Sequence, residues 1–293
     1  MDNDLPLVDV KNSPNTNTNP LSGYFRQPKI YITLPSKGEY YPEGSLDKSS
    51  NGQYAVFAMT AKDELMFKTP DALLNGQSTV EIIKSCIPAI KDPWVMPTID
   101  VDAALIAIRI ATYGEKMEIT SNCPKCSTEN TYELPLTDYL AMAQQFDFSA
   151  VLNVGELTVH LVPYTYNQMT SAGLKAMEQQ RVFEIINNDQ LDDKAKIEKF
   201  QASFQNLTAL TVDTITDCIA KIETPQGSTD NRAHIKEFVN NASKDVFDAV
   251  SNHITEMRKA IDMPDQKLKC TECETEYLVP ITMDQSDFFG ERS

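Results

Sequence analysis

Met117–Thr137, M-E-I-T-S-N-C-P-K-C-S-T-E-N-T-Y-E-L-P-L-T, and Lys267–Thr282, K-L-K-C-T-E-C-E-T-E-Y-L-V-P-I-T, govern how this chain is put together. Each contains one cysteine pair with two residues between its members: Cys123 and Cys126, then Cys270 and Cys273. That spacing turns both thiolates of a knuckle toward one metal ion. Strand-forming residues flank each pair, so each stretch reads as strand, knuckle, strand, the form of half a zinc ribbon. Two thiolates fill only half of the tetrahedral shell of a structural zinc. About 140 residues separate the pairs, so an ion shared between them would tie the middle of the chain to its end.

The flanks of the two stretches repeat. T-V-E-I-I-K-S-C-I-P-A-I (Thr79–Ile90) and T-V-D-T-I-T-D-C-I-A-K-I (Thr211–Ile222) both fit T-V-[DE]-x-I-x-x-C-I-x-x-I. Y-E-L-P-L-T from Tyr132 and Y-L-V-P-I-T from Tyr277 both fit Y-x-[LV]-P-[LI]-T, and Asp147-Phe148 and Asp287-Phe288 come after them. Matches in the same order in both halves indicate an internal duplication. The predicted fold is a helix-rich α+β chain: a duplicated helical unit with short β-hairpins, joined by a zinc-ribbon-like four-cysteine site. The expected divisions are a flexible N-terminal arm at 1–26, a first repeat at 27–148, and a second repeat at 149–293 with a helical insertion. Cys123, Cys126, Cys270 and Cys273 are the predicted ligands of one structural zinc per chain, with every position filled and none left for water. A redox pair and unligated cysteines are the alternatives, but neither pair opens a helix in a thioredoxin-like pattern. Cys86 and Cys218 fall on apolar helix faces and read as buried hydrophobes.

Local signals predict the remaining elements. Residues 1–26 are rich in Asn, Asp, Pro and Ser and cannot bury enough apolar surface to order themselves. Strands are expected at Ile30–Leu34 and Tyr54–Met59, with Pro35, Gly38 and Pro42 making a compact turn between 34 and 42. Thr60 is a helix N-cap, with Asp63 and Glu64 in the first turn, and Ser78 with Glu81 forms a capping box. Asp100–Tyr113 is apolar on nearly every side and predicts a central helix that Gly114 ends. In the second half, Leu157–Val162 is a strand and Thr165 takes the place of Thr60. A long helix then reaches Ile186, 187–193 is a loop, and a helix runs through Phe204. Another spans 211–222, 225–230 is a loop, and two more helices cover 231–241 and 244–261.

The 293 residues carry a net charge of −16 and are 41% hydrophobic. The acidic balance argues against a nucleic-acid grip, which needs concentrated Lys and Arg. A nucleic-acid-binding zinc-ribbon module is the alternative reading, but Glu272, Glu274 and Glu276 surround the second knuckle. No apolar run reaches the length of a membrane span. The first residues show no basic region leading into an apolar one, so no leader and a reducing cytoplasm are expected. No H-E-x-x-H, G-x-S-x-G, P-loop or G-x-G-x-x-G occurs, and no enzyme is predicted. The sequence alone argues for no oligomeric state.

The stretch I-Y-I-T-L-P-S-K-G-E-Y-Y (Ile30–Tyr41) resembles the opening of the T4-like bacteriophage baseplate hub proteins. The order of the next segments is similar too: A-M-T-A-K-D-E-L, T-V-E-I-I-K-S-C-I, a helix, then C-P-K-C. The resemblance is clearest over residues 28–136 and returns at the closing knuckle. It implies a non-enzymatic role in tail and baseplate assembly, as a hub subunit or an assembly chaperone. The implied partners are other phage tail proteins, the hub and the tape measure, met in the host cytoplasm or in the virion tail. It supplies no catalytic residues, so the four cysteines are the only site residues.

Overall fold

The computed structural model describes residues 19, 21, 24–67, 76–144, 151–186, 193–259 and 264–281. Nearly all of the expected arm, the loop at 187–192, both Asp-Phe matches and the boundary between 148 and 149 lie outside these residues. Among those described, ten strands and eight α-helices form small antiparallel sheets and two apolar cores. None of these helices is long and apolar enough to cross a membrane.

The first core is built on a hairpin of β1 (Pro28–Thr33) and β2 (Gln53–Phe57), with Ile32 opposite Tyr54. Ile32 points inward and Tyr31 outward, the alternation a half-buried strand requires. Next come α1 (Ala61–Phe67), α2 (Gln77–Cys86), a short 3-10 turn (Pro93–Val95) and α3 (Thr98–Tyr113). Helix α3 is buried along almost its whole length, from Ile99 to Ala111. Among its residues, Asp100 is fully buried and organises the 34–42 turn. It accepts hydrogen bonds from the Ser36 amide (2.8 Å), the Ser36 hydroxyl (2.5 Å) and the Tyr41 hydroxyl (2.9 Å). Burial pushes its carboxyl up to about 6, against the pull of the Ser36 and Tyr41 donors. Burial likewise raises the Tyr41 phenol, and the Asp100 charge adds to that.

The chain then makes the hairpin of β3 (Lys116–Asn122) and β4 (Glu129–Pro135), and α4 (Leu136–Gln144). The second core lies between a four-stranded sheet and helices. The sheet joins β5 (Val151–Val154), β6 (Leu157–Leu161), β7 (Ile219–Thr224) and β8 (Gly227–Thr229) in that order. Helices α5 (Tyr166–Ile186) and α6 (Asp193–Asp217) connect β6 to β7. Helices α7 (Arg232–Asn241) and α8 (Lys244–Lys259) come next, and the hairpin of β9 (Gln266–Lys269) and β10 (Glu276–Val279) closes the described chain. Where the two cores meet, Tyr166 of α5 enters the first one. Its ring stacks on Trp94 with centroids 5.6 Å apart, and its amide donates to Met96 O at 2.9 Å.

The recurrence holds in three dimensions. Val80, Ile83, Cys86, Ile87 and Ile90 are buried in the first core. Their counterparts Ile215, Cys218, Ile219 and Ile222 are buried in the second, with Val212 packed against it. Cys86 and Cys218 are the buried hydrophobes expected of them. Thr60 and Thr165 cap α1 and α5 identically. Each threonine amide and hydroxyl donates to the side chain three residues on, Asp63 or Gln168, whose own amide donates back at 3.3 Å.

Several local expectations are corrected. Helix α2 starts at Gln77 behind a left-handed Gly76, with no side-chain cap. Ser78 instead donates to Met66 O at 3.0 Å, fastening α2 to α1. The two helices expected through Phe204 and over 211–222 are one helix that ends at Asp217. The residues from Ile219 on form β7, because Ile219 and Ile222 find an apolar face beside β6 while Thr224 and Gly227 close a turn to β8. Three residues of the expected 225–230 loop are therefore strand. Helix α4 and strand β5 have no expected counterpart.

Candidate metal centre

The β3–β4 and β9–β10 hairpins each carry a knuckle at their tip, and the tips meet. The four sulfur atoms of Cys123, Cys126, Cys270 and Cys273 all lie within 4.8 Å of one another. Cys123 Sγ is 3.6 Å from Cys273 Sγ, and Cys126 Sγ is 3.6 Å from Cys270 Sγ. A regular tetrahedron of sulfurs about ~2.3 Å from a central ion has edges of about 3.8 Å. A disulfide needs about 2.05 Å. The spacing therefore fits a tetrathiolate ion and not two disulfides. The equality of the crossed distances is what a two-fold relation demands, since first-to-second and second-to-first contacts must then agree.

Each knuckle is folded by the same local bonds. Cys123 N donates to Thr128 O and Cys270 N to Thr275 O, both at 2.9 Å. Ser127 N donates to Cys123 O at 2.9 Å and Glu274 N to Cys270 O at 3.1 Å. These turns place Ser127 (φ 60°) and Glu274 (φ 56°) in the left-handed region, a conformation non-glycine residues hold only where surrounding bonds enforce it. The second sulfur of each pair lies 3.3 Å from a threonine hydroxyl, Thr128 or Thr275, which donates once the sulfur is a thiolate. Bonds from the Thr275 hydroxyl and amide pull the Cys273 thiol down to about 6. The amides of Cys273 and Glu272 lower Cys270 as well. Cys123 accepts from the Cys126 and Lys125 amides, yet burial and bonds to neighbouring sulfurs hold it up to about 11. A bound cation favours thiolates over thiols.

A shell of polar side chains locks one hairpin to the other. Asn130 of β4 is buried, and its Oδ1 accepts from the Thr271 amide (3.0 Å) and hydroxyl (2.8 Å) of the opposite knuckle. Its amide nitrogen donates to Thr128 O at 2.8 Å within its own hairpin. The Tyr132 hydroxyl donates to Lys269 O at 2.8 Å, and Ser121 Oγ lies 2.9 Å from the Tyr277 hydroxyl. None of these residues is among those predicted for the site. The signal that reaches them is C-x-x-C-x-T-E, present at both knuckles. It also corrects the register of the repeat. Cys123 and Cys270 are 147 positions apart, whereas Tyr132 and Tyr277 are 145 apart. Glu129 pairs with Asn122 and Glu276 with Lys269, so the hairpins superimpose at 147 and Tyr277 stands in the place of Asn130. The Y-x-[LV]-P-[LI]-T match is two residues out of step with the knuckles.

The knuckle hairpins offer little free positive charge to a phosphate backbone. Lys267 pairs with Glu276 at 2.5 Å, Lys269 with Glu274 at 3.1 Å and Lys116 with Glu133 at 2.5 Å. Two of the histidines have partners away from the cluster: His160 faces Glu223 at 3.3 Å, and His234 faces the Thr229 hydroxyl.

Fold and site together describe a chain in which two hairpins far apart in sequence bring four cysteines to one point, where they could hold a metal ion. The chain belongs to the family described as T4 bacteriophage base plate protein, which it matches over residues 27–290. That family gives it a structural role in the phage tail baseplate among other tail proteins. No curated protein and no solved structure matches it.

Proposed function

We propose that the protein acts in assembly of the baseplate hub, as a hub subunit or an assembly chaperone, through contacts with the hub and tape-measure proteins rather than by catalysis. Family membership over 27–290, with both knuckles inside the matched range, carries this reading. Within it, Cys123, Cys126, Cys270 and Cys273 hold one structural zinc per chain. Thiolate softness and tetrahedral spacing favour zinc over harder divalent ions. The zinc clamps a first repeat, 27–148, to a second, 149–293, with 1–26 as an arm. The site of action is the host cytoplasm during assembly, and the tail baseplate if the protein is incorporated.

The test is a pull-down of the tagged protein from infected cells. Recovery of hub or tape-measure protein is the expected result, and recovery of only non-tail proteins would overturn the reading. Mass spectrometry of purified virions separates the two roles. A subunit appears at fixed copy number, whereas a chaperone is missing. Elemental analysis should give about one zinc per chain.

A further inference from the structure

The match between the two knuckles ends at their sequences. At the register of 147 that superimposes the hairpins, Thr271 stands in the place of Pro124, Tyr277 in that of Asn130 and Val279 in that of Tyr132. The bonds between the hairpins follow this asymmetry. On one side of Cys270, Lys269 O accepts from the Tyr132 hydroxyl. On its other side, the Thr271 amide and hydroxyl donate to Asn130 Oδ1. A backbone N–H only donates, so the Asn130 atom that meets it is the oxygen. The side-chain nitrogen is left to face Thr128 O at 2.8 Å and Cys270 Sγ at 3.7 Å. Thr128 O is also the carbonyl that closes the first knuckle by accepting from Cys123 N. Asn130 thus touches the first knuckle, the backbone of the second and one of its sulfurs.

The reverse bonds cannot form. Pro124 has neither an amide hydrogen nor a hydroxyl, and Val279 has no hydroxyl. The Tyr277 hydroxyl meets side chains only, Ser121 Oγ at 2.9 Å, the Tyr132 hydroxyl at 3.4 Å and Asn130 Nδ2 at 3.5 Å. The first knuckle has another source of rigidity, because the ring of Pro124 fixes its φ at about −65°. C-T-E-C has no proline, and both neighbours of Cys270 are held from outside instead. We infer that β4 positions the second knuckle for the ion: Asn130 and Tyr132 hold Cys270 in place from either side and so set how tightly the metal is bound. This rests on reading the four cysteines as a zinc site. Neither residue is a ligand. Both are positioning residues, which act on metal affinity by fixing where a ligand atom points.

The experiment measures the zinc affinity of the full-length protein by competition with a chromophoric chelator. Exchange of the Thr271 amide is followed by NMR on the protein as purified. Asn130→Ala should weaken zinc binding by about 100-fold and Tyr132→Phe by about 10-fold, the two ends of the usual range for such partners. Asn130→Ala should also speed exchange at Thr271. Thr131→Ala, between them on the exposed face of β4, should change neither. Adding Thr271→Pro to Asn130→Ala should recover most of the lost affinity. It removes the orphaned amide and stiffens the second knuckle as Pro124 stiffens the first. A general loss of packing would not be repaired in this way, so a loss without rescue would overturn the inference. Affinity unmoved by Asn130→Ala and Tyr132→Phe would also overturn it, and would leave the zinc reading standing. If Asn130→Ala does not fold, Tyr132→Phe decides, since it deletes one hydroxyl from a half-buried ring. A parent protein without zinc would instead overturn the zinc reading. The Thr271 amide then decides, and exchange that Asn130→Ala leaves unchanged would overturn the positioning by β4 as well.

Discussion

The two halves use the same devices to different ends. In the first, the helices after the hairpin are short and both lie on one large core, and α3 runs through it buried on all sides. In the second, the corresponding helices are lengthened into α5 and α6, and the smaller core rests on a four-stranded sheet. The first half also has polar anchors of its own. Arg26 donates to Ala58 O and Ser85 O at 2.5 Å each and faces Asp63 at 3.6 Å. Asp100 holds the 34–42 turn. A repeated helix-and-knuckle pattern can thus specify a dense body once and an extended arm the second time. The halves remain closely matched at the knuckles, whose local bonds repeat almost distance for distance.

That equivalence gives the largest expected effect. Cys126→Ser and Cys273→Ser should abolish stoichiometric zinc and lower the melting temperature by similar amounts. Structural zinc contributes ~10 kcal/mol or more to the folding of small metal-dependent domains. Zinc content and calorimetry on both variants provide the check. One silent and one severe substitution would mean that the sulfurs do not share an ion.

Away from the metal the halves should diverge. Ile83 and Ile215 occupy the same place in the repeat, but Ile83 is 0% exposed in the larger core and Ile215 5% in the smaller. Ile83→Ala should cost about 4 kcal/mol and Ile215→Ala about 2–3, near opposite ends of the usual range for such deletions. Urea unfolding measures both. Equal costs would show that the second core is packed as tightly as the first.

How much of this is legible in the sequence depends on how local each signal is. The cysteine spacing points to the four residues whose sulfurs cluster, since a knuckle is a short-range turn whose geometry its own bonds set. Thr60 and Thr165 are legible as caps for the same reason. The end of α6 is not, because Val212, Ile215, Ile219 and Ile222 satisfy a helical period as well as they satisfy a helix that gives way to a strand. The choice is made by β6, far away in sequence. Asn130 escapes notice because its bonds cross about 140 residues to Thr271, and nothing near an asparagine announces such a partner. Asp100 sits inside an otherwise apolar helix, and only the fold reveals that the Ser36 and Tyr41 donors meet it.

Asp100 offers a smaller test of the asymmetry. Its folded value of about 6 lies above the ordinary carboxylate value of 3.8. The folded state therefore holds this proton more tightly than the unfolded chain. The stabilisation from protonation is fully present below about pH 4 and is lost as pH rises to about 6, above which the contribution is flat. A displacement of about two units corresponds to about 3 kcal/mol across that window. Asp100→Asn should remove this slope, seen as the difference between the variant and the parent in stability measured from pH 4 to pH 7. An unchanged difference across the window would mean that burial does not hold the proton.

The smallest expected effects concern the matched caps. Thr60→Ala and Thr165→Ala each delete one hydroxyl that accepts from a helix-start amide, a loss of about 0.5–2 kcal/mol. The two should not be equal. Asp63 keeps the Ser85 hydroxyl at 3.0 Å and Arg26 at 3.6 Å when Thr60 loses its oxygen, so the start of α1 stays tethered. Gln168 is neutral and gives α5 no charge at its N-terminal end, where a negative group is favourable. The alanine at 165 therefore falls on a helix end with less in reserve, next to Tyr166, whose ring joins the second half to the first core. Thr165→Ala should cost more than Thr60→Ala by about 0.5 kcal/mol. The same change should speed amide exchange at the start of α5, which hydrogen-exchange measurement on the two variants resolves. The reverse order would place the weaker cap in the denser half.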